Sequence, residues 1–271
     1  MHENKYCFVN QAHDPRYLTL RSLQTPQGRS RTGLYLIEGI RHVARAVEHQ
    51  APLQSLFIDP SRLSNPYARG LVRRLRKSGV PGIHLSPQLY RQLTLAAEPQ
   101  GIGAVVSQKW ISLAGVRASQ SSFWLAVESI DSPGNLGTII RTAEATGVNG
   151  VFMIGQNVDP WEPATVRASM GSLFSQKLMR CSARDFADWA RSFGVLIVGS
   201  SPTGLLDYKA LRWRWPSALM IGSEKQGLSE TLIQVSNFMV RLPMMGRGDS
   251  INAAVAAGVL LYEMFNQRRG A

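Results

Sequence analysis

An α/β fold is predicted, and three observations predict it. Apolar runs of strand length, rich in Val, Ile and Leu, recur along the chain. Stretches with apolar residues at helical spacing separate them. A serine-rich segment at residues 107–122 interrupts this alternation once, so the 271 residues divide into two α/β parts. Strands alternating with helices mark mostly parallel sheets covered on both faces. The hydrophobic fraction of 44% is that of a globular chain with a core.

Residues 1–15 are polar and mixed, and read as a loosely held arm. Arg16, Arg21, Arg29 and Arg31 surround Thr25-Pro26-Gln27-Gly28, which reads as a basic helix followed by a turn-rich loop. Leu34-Tyr35-Leu36-Ile37 is a strand, and Ile40, Val43, Ala44 and Val47 follow at helical spacing. Residues 54–58 form the next strand, ended by Asp59-Pro60. Residues 66–78 form a helix carrying Arg69, Arg73, Arg74, Arg76 and Lys77, a pattern usual for a solvated face. Ile83-His84-Leu85 and Gly103-Ala104-Val105-Val106 complete a small domain over residues 1–108. A linker over 109–122 leads to a second domain, 123–271.

The second domain alternates again. Strands are predicted at 123–127, 150–154, 195–198, 218–221 and 238–242, and helices at 135–146, 183–192 and 250–267, with a helical turn at 163–171. In such sheets ligands bind in loops beyond the carboxyl ends of strands. The loops after Val198, Ile221 and Leu242 are therefore the pocket candidates.

Composition narrows the chemistry. No uninterrupted apolar stretch reaches the 18 residues of a membrane span, and the start of the chain has no apolar leader core. Two cysteines, Cys7 and Cys181, imply no disulfide framework and fit a reducing cytoplasm. The net charge of +12 favours a polyanionic partner, most often nucleic acid. Residues 1–108 contribute +8 of it, from 14 basic and 6 acidic residues, so the RNA grip is expected there. Residues 109–271 contain no His and one Cys, which excludes a His base or a His/Cys metal site in that domain. No Walker, G-x-S-x-G or complete dinucleotide motif is present; Gly101-Ile102-Gly103 lacks the third glycine. What remains in the pocket loops is Asn, Arg, Glu, Ser and main-chain amides. That set suits a substrate whose co-reagent is already activated, such as a sulfonium methyl donor.

Three segments stand out. The first, residues 128–147, has the turn Pro133-Gly134-Asn135 before a helix, where Asn135 can serve as N-cap, and Arg141 six residues on. The second, residues 220–229, carries Glu224 in a glycine-rich strand-to-helix loop. The third, residues 242–258, runs through Asp249 and Ser250, either of which can cap the last helix, into a small-residue stretch starting at Ala253. In this order the three resemble the motifs of the SpoU (TrmH-type) branch of SPOUT methyltransferases. Residues 33–41 and 100–106 resemble the ends of that family's ribosomal-protein-like RNA-binding domain, so the likeness spans about residues 16–267. The two-domain plan is similar to that of large-subunit rRNA and thiostrepton-resistance methyltransferases.

The resemblance implies a C-terminal domain with a deep trefoil knot, which no pattern argument proposes because knots are rare. It also implies a homodimer, S-adenosylmethionine as cofactor, and no metal. The reaction it implies is methylation of a ribose 2′-hydroxyl in RNA. Ribosomal RNA is the first choice of substrate and tRNA the second; a non-catalytic RNA-binding or ribosome-assembly protein is the competing role. The implied catalytic set is Arg141, Asn135, Glu224, Ser250 and Asn252. Arginine stays protonated, so Arg141 is expected to anchor the ribose or phosphate and to stabilise oxyanion character. The implied cofactor contacts are Ser200, Ser201, Pro202, Thr203, Ile221, Gly222, Glu224, Gly227, Leu242, Pro243, Met244, Ser250, Asn252 and Ala253. Arg16, Arg21, Arg29, Arg31 and Arg41 are expected to grip RNA. Ser223 stands where the family often has Asn, and Ile251, Ala253 and Ala254 replace common motif-three residues.

Overall fold

The computed structural model describes residues 6–246 and 248–270. Up to residue 108 the order is β1 (Tyr6–Val9), α1 (Pro15–Ser22), α2 (Pro26–Thr32), β2 (Leu34–Glu38), α3 (Ile40–Glu48), β3 (Leu53–Ile58), α4 (Pro66–Lys77), β4 (Gly82–Leu85), α5 (Pro87–Leu93) and β5 (Ile102–Ser107). There follow β6 (Phe123–Glu128), α6 (Pro133–Ala145), β7 (Val151–Ile154), α7 (Pro163–Ala168), β8 (Leu178–Cys181) and α8 (Ala183–Ser192). The last elements are β9 (Leu196–Ser200), β10 (Leu206–Asp207), β11 (Ser217–Ile221), α9 (Glu230–Val235), β12 (Phe238–Arg241) and α10 (Ala253–Arg269). The chain forms two compact units: residues 1–108 with 159–174, and residues 109–158 with 175–271.

The first unit is a five-stranded sheet in the order β1-β4-β3-β5-β2. β1 adds in parallel to β4 through Tyr6↔Gly82 to Val9↔Leu85, so residues 6–9 are a sheet edge rather than a loose arm. Val9 is buried, and its apolar side chain is what holds the strand. Residues 1–5 of that expected arm lie outside the described residues. Polar-cap-plus-proline pairs start the helices: Asp14-Pro15, Thr25-Pro26, Asn65-Pro66 and Ser86-Pro87, each cap side chain accepting a main-chain N–H of the first turn. The Thr25-Pro26 pair turns the expected loop into α2. Gly28 fits there because a Cβ would sit 1.9 Å from the Ser22 carbonyl oxygen. α1 and α5 close the core with Tyr17, Leu20, Leu89, Tyr90 and Leu93 over Phe57 and Val105.

Residues 159–174, expected in the second part, belong to the first unit. The cause is specific. Arg29, 1% exposed, donates from Nε to Asp159 Oδ2 at 2.7 Å and from an Nη to the carbonyls of Leu23 and Gln24. Trp161 packs on Tyr35 with ring centroids 4.8 Å apart.

The second unit is a seven-stranded sheet in the order β10-β12-β9-β11-β6-β7-β8, parallel throughout. Trp124 and Ala126 on β6 join Phe152, Phe186, Trp189 and Leu232 in a core beneath α8 and α9. Period-two alternation leaves Leu125 and Val127 to the other face, where α6 packs on α10. Residues 109–122 are no free linker. Ile111 donates to Leu178, and Val116 is buried in this core, where its carbonyl receives the Trp189 indole N–H.

Candidate active site

β12, β9 and β11 are adjacent in the sheet and parallel, so their carboxyl ends come together. The loops beyond them enclose a cleft of about 530 Å³. Its floor is apolar, from Ile221, Val240, Leu242, Ala253 and Ala256, and its rim carries Ser201, Glu224, Asp249 and Ser250. Two of the walls are tied by main chain. The Ser223–Gly227 turn closes through N–H···O bonds of 3.1 and 3.0 Å, with Gly227 at φ +69°. Gly222 must be glycine, since a Cβ would lie 2.1 Å from the Gly227 carbonyl carbon. Ser223 Oγ accepts the Gln226 N–H at 3.0 Å, so a serine fills the turn's acceptor role here. Arg241 donates to the carbonyls of Gly204 and Leu205 and pins the loop after β9 to β12.

Side chains from all three standout segments meet at the mouth. Asn252 Nδ2 donates to Asn135 Oδ1 at 3.0 Å, and Asn135 Nδ2 donates to Glu224 Oε1 at 2.5 Å. Asn252 also caps α10, its Oδ1 accepting the N–H groups of Ala254 and Val255. The cap is therefore Asn252, not Asp249 or Ser250. Asn135 is not a cap either: Ser132 caps α6 and accepts from the Asn135 N–H. Asn135 is thus freed from the capping role open to it in sequence, and the two amides are aligned head to tail. Lys225 pairs with Asp131 at 3.8 Å across the first two segments. Arg141 is exposed on α6, in line with Gly134, Thr138 and Ala145 at spacings of four, three and four.

Of the fourteen expected cofactor contacts, Ser200, Ser201, Pro202, Ile221, Gly222, Glu224, Gly227, Leu242, Met244, Ser250 and Ala253 line the cleft. Thr203, Pro243 and Asn252 do not. Thr203 instead hydrogen-bonds Ser201, and Asn252 acts on Asn135. Ser223, Lys225, Gln226, Val240, Asp249, Ile251 and Ala256 also line the cleft and were not among the expected contacts; all lie within or beside the three segments, which is the signal that could have found them. The volume suits a nucleoside-sized ligand. An apolar floor suits an adenine ring, and the Glu224 and Asp249 carboxylates suit a cationic sulfonium. The residues present therefore fit S-adenosylmethionine.

Comparison with known proteins decides the family. Residues 122–262 match the SpoU rRNA methylase family, and residues 15–104 match an MRM3-like substrate binding domain. The chain belongs to the SpoU rRNA methylase family. It is 34% identical over 247 residues to a 23S rRNA (uridine(2479)-2′-O)-methyltransferase of Streptomyces viridochromogenes, covering 89% of this chain and 85% of the relative. A 23S rRNA (guanosine(2553)-2′-O)-methyltransferase of Bacillus subtilis is 26% identical, with 94% and 98% covered. Among solved structures, the SpoU methyltransferase AviRb from S. viridochromogenes in complex with AdoMet is similar at TM-score 0.87 and 32% identity, over 96% of this chain and all of that one. An AdoMet-bound rRNA methyltransferase from Sinorhizobium meliloti is similar at TM-score 0.89 and 28% identity, over 98% of each chain. As a SpoU methylase, the chain is an S-adenosylmethionine-dependent 2′-O-methyltransferase.

The expected RNA grip fares unevenly in the first unit of this SpoU methylase. Arg21, Arg31 and Arg41 are exposed. Arg16 is exposed but held by Asp14, with Nε–Oδ1 at 2.9 Å, and that pairing keeps the Asp14 carboxyl near 2. Arg29 is buried and pinned, so it is a structural ion pair and not a contact for RNA.

Proposed function

We propose that this chain methylates the 2′-hydroxyl of one nucleotide in large-subunit ribosomal RNA. The cleft beyond β9, β11 and β12 holds the cofactor, and the Asn135–Glu224–Asn252 group with Arg141 receives the ribose. One observation carries the reading: the hydrogen-bonded line Asn252–Asn135–Glu224 joins the three standout segments at the cleft mouth. The curated relatives named above act on 23S rRNA, which favours ribosomal over transfer RNA.

The cofactor supplies a methyl group already activated as a sulfonium. The protein's task is alignment, which in ideal cases contributes about 7–11 kcal/mol. Arg141 donates to the 2′-oxygen and stabilises its developing charge while the hydroxyl proton passes to solvent water. Asn135 has both ends of its amide engaged, so it cannot rotate and holds Glu224 at the rim. Ser250 lines the cleft beside it.

The same proposal includes a homodimer. Val255, Val259 and Tyr262, 54%, 38% and 48% exposed, form an apolar stripe on α10 at spacings of four and three, extended by Ile251. A second copy covers it, and Val259→Glu is expected to give a monomer in light scattering. The knotted path through residues 199–203, 221–227 and 242–252 and a cytoplasmic location belong to this proposal too. Among the described residues no helix is long and apolar enough to cross a membrane.

The test is methyl transfer from labelled S-adenosylmethionine to unmodified ribosomal and transfer RNA pools, followed by nucleoside analysis. A 2′-O-methylnucleoside from ribosomal RNA is expected. Label only in transfer RNA, or on a base, would overturn the assignment.

A further inference from the structure

A second pocket lies wholly within the first unit. It holds about 300 Å³ between β2, the start of α3, the segment after α5 and α7. Leu36, Phe57, Leu93 and Val166, all buried, make its walls. Its depth is polar. His42 is 9% exposed, and among the described residues its buried Nε2 has no partner in good hydrogen-bond geometry, although main-chain carbonyls lie near the ring. A buried polar atom without a well-placed partner is costly, so its position in this pocket needs a reason. Burial lowers the His42 pKa, against the nearby carbonyls of Glu38, Val166 and Arg167. The imidazole is therefore neutral at neutral pH, and Nε2 offers either a proton or a lone pair according to its tautomer.

Glu38 adds a carboxylate. The Thr94 hydroxyl donates to its Oε1 and the Leu95 N–H to its Oε2 at 3.2 Å, which fixes the group and leaves further acceptor capacity. Gln100 Oε1 accepts the Ile40 N–H at 2.8 Å, so its amide N–H groups remain as donors. Arg41 and Arg167, both exposed, stand at the lip. Apolar walls, a buried imidazole and a half-buried carboxylate within, and the exposed Gln100, Glu98, Arg41 and Arg167 at the rim suit one chemistry: a planar heterocycle joined to phosphates.

We propose that this pocket takes one unstacked nucleobase of single-stranded substrate RNA, with Arg41 and Arg167 on the flanking phosphates. Sequence-specific RNA recognition works chiefly on such splayed bases. The proposal rests on the reading of the substrate as RNA and adds a specificity site remote in sequence from the motif residues. Arg41, expected only as a general phosphate contact, then has a defined place.

The probes are labelled single-stranded oligo(A), oligo(C) and oligo(U) of about ten nucleotides, a length within the range of single-strand sites. They are read by fluorescence anisotropy with the full chain. His42→Phe removes Nε2 and keeps the ring. Leu95→Trp fills the mouth from a half-exposed position, so it preserves folding even where a core change does not. Each is expected to weaken the preferred oligonucleotide about tenfold or more, the scale of lost base contacts. The salt slope stays the same, because no phosphate contact is removed. Wild-type affinity shared by both variants, or no preference and no binding by the wild type, overturns the pocket. Free mononucleotides that bind there while oligonucleotides do not would also overturn it. The arms separate the two readings. Pocket-dependent binding without methyl transfer sinks the enzyme assignment alone; methyl transfer with pocket-independent binding sinks the pocket alone.

Discussion

The two units assemble their functional groups by different means. The cleft of the second unit is largely main chain: three neighbouring parallel strands end together, and glycine-bearing turns fold over them. The basic surface of the first unit is all side chain. A site made by topology is fixed as soon as the strand order is fixed. A grip made of arginines depends on where each guanidinium finds a partner. Arg16, Arg29 and Arg31 look alike in sequence, yet one is held by Asp14, one is buried on Asp159 and one is exposed. Charge therefore pointed to the unit that matches a substrate binding domain without identifying any contact.

The sharpest way to break this contrast is Arg29→Ala. Removing one partner of a fully buried pair costs about 3–5 kcal/mol, and because the Asp159 carboxylate left behind is 26% exposed the loss lies at the lower end. Hydrogen exchange should show early opening of β2 and α7 in the first unit, with protection of β6 and β11 unchanged. Arg29→Lys should not restore it, because one ammonium cannot reproduce a planar fork meeting Asp159 and two carbonyls. If Arg29→Ala leaves stability intact and lowers only RNA affinity, then Arg29 is a grip residue and the contrast fails.

Arg141→Ala comes next. Loss of one donor to a developing oxyanion lowers turnover about 10²–10³-fold. Cofactor affinity, by equilibrium dialysis, should not change, since Arg141 does not line the cleft. A rise in the cofactor Kd in place of a fall in rate would put Arg141 in the cofactor seat.

How much of this was legible follows the same divide. The buried strands of the second unit could be read because apolar periodicity is a local signal, whereas Asn135, Glu224 and Asn252 were singled out only through the resemblance of their segments to a known family's motifs. β8 was missed because Leu178-Met179-Arg180-Cys181 is short, sits at the sheet edge and carries an arginine. β10 has only two residues. α2 and α5 were legible in principle, since Thr25-Pro26 and Ser86-Pro87 repeat the signal of Asn65-Pro66. Which of Asp249, Ser250 and Asn252 caps α10 was not legible. All three are capable caps, and tertiary structure chooses the one that also reaches Asn135. The placement of residues 159–174 was hidden for a similar reason: it turns on one arginine 130 positions earlier.

Asn252 permits a finer test, because one side chain does two jobs. Asn252→Ala loses the α10 cap, worth about 1 kcal/mol, and also frees Asn135. Asn252→Asp keeps a cap oxygen for Ala254 and Val255 but has no N–H to give Asn135 Oδ1. Thermal unfolding should find the Asp variant near wild type and the Ala variant lower. Both should methylate more slowly. An Asp variant with wild-type turnover would mean that the link to Asn135 is structural only.

The smallest effects belong to the exposed arginines. Arg21→Ala and Arg31→Ala should each weaken RNA binding alike for every sequence and flatten the salt dependence by about 0.7 per lost single-strand phosphate contact. Arg16→Ala should do less, because its guanidinium is already committed to Asp14. Arg41 is the informative member. If it serves only the backbone, its variant tracks those of Arg21 and Arg31 across all oligonucleotides. If it stands at the lip of the His42 pocket, its loss falls hardest on the preferred base, and the slope and the preference change together.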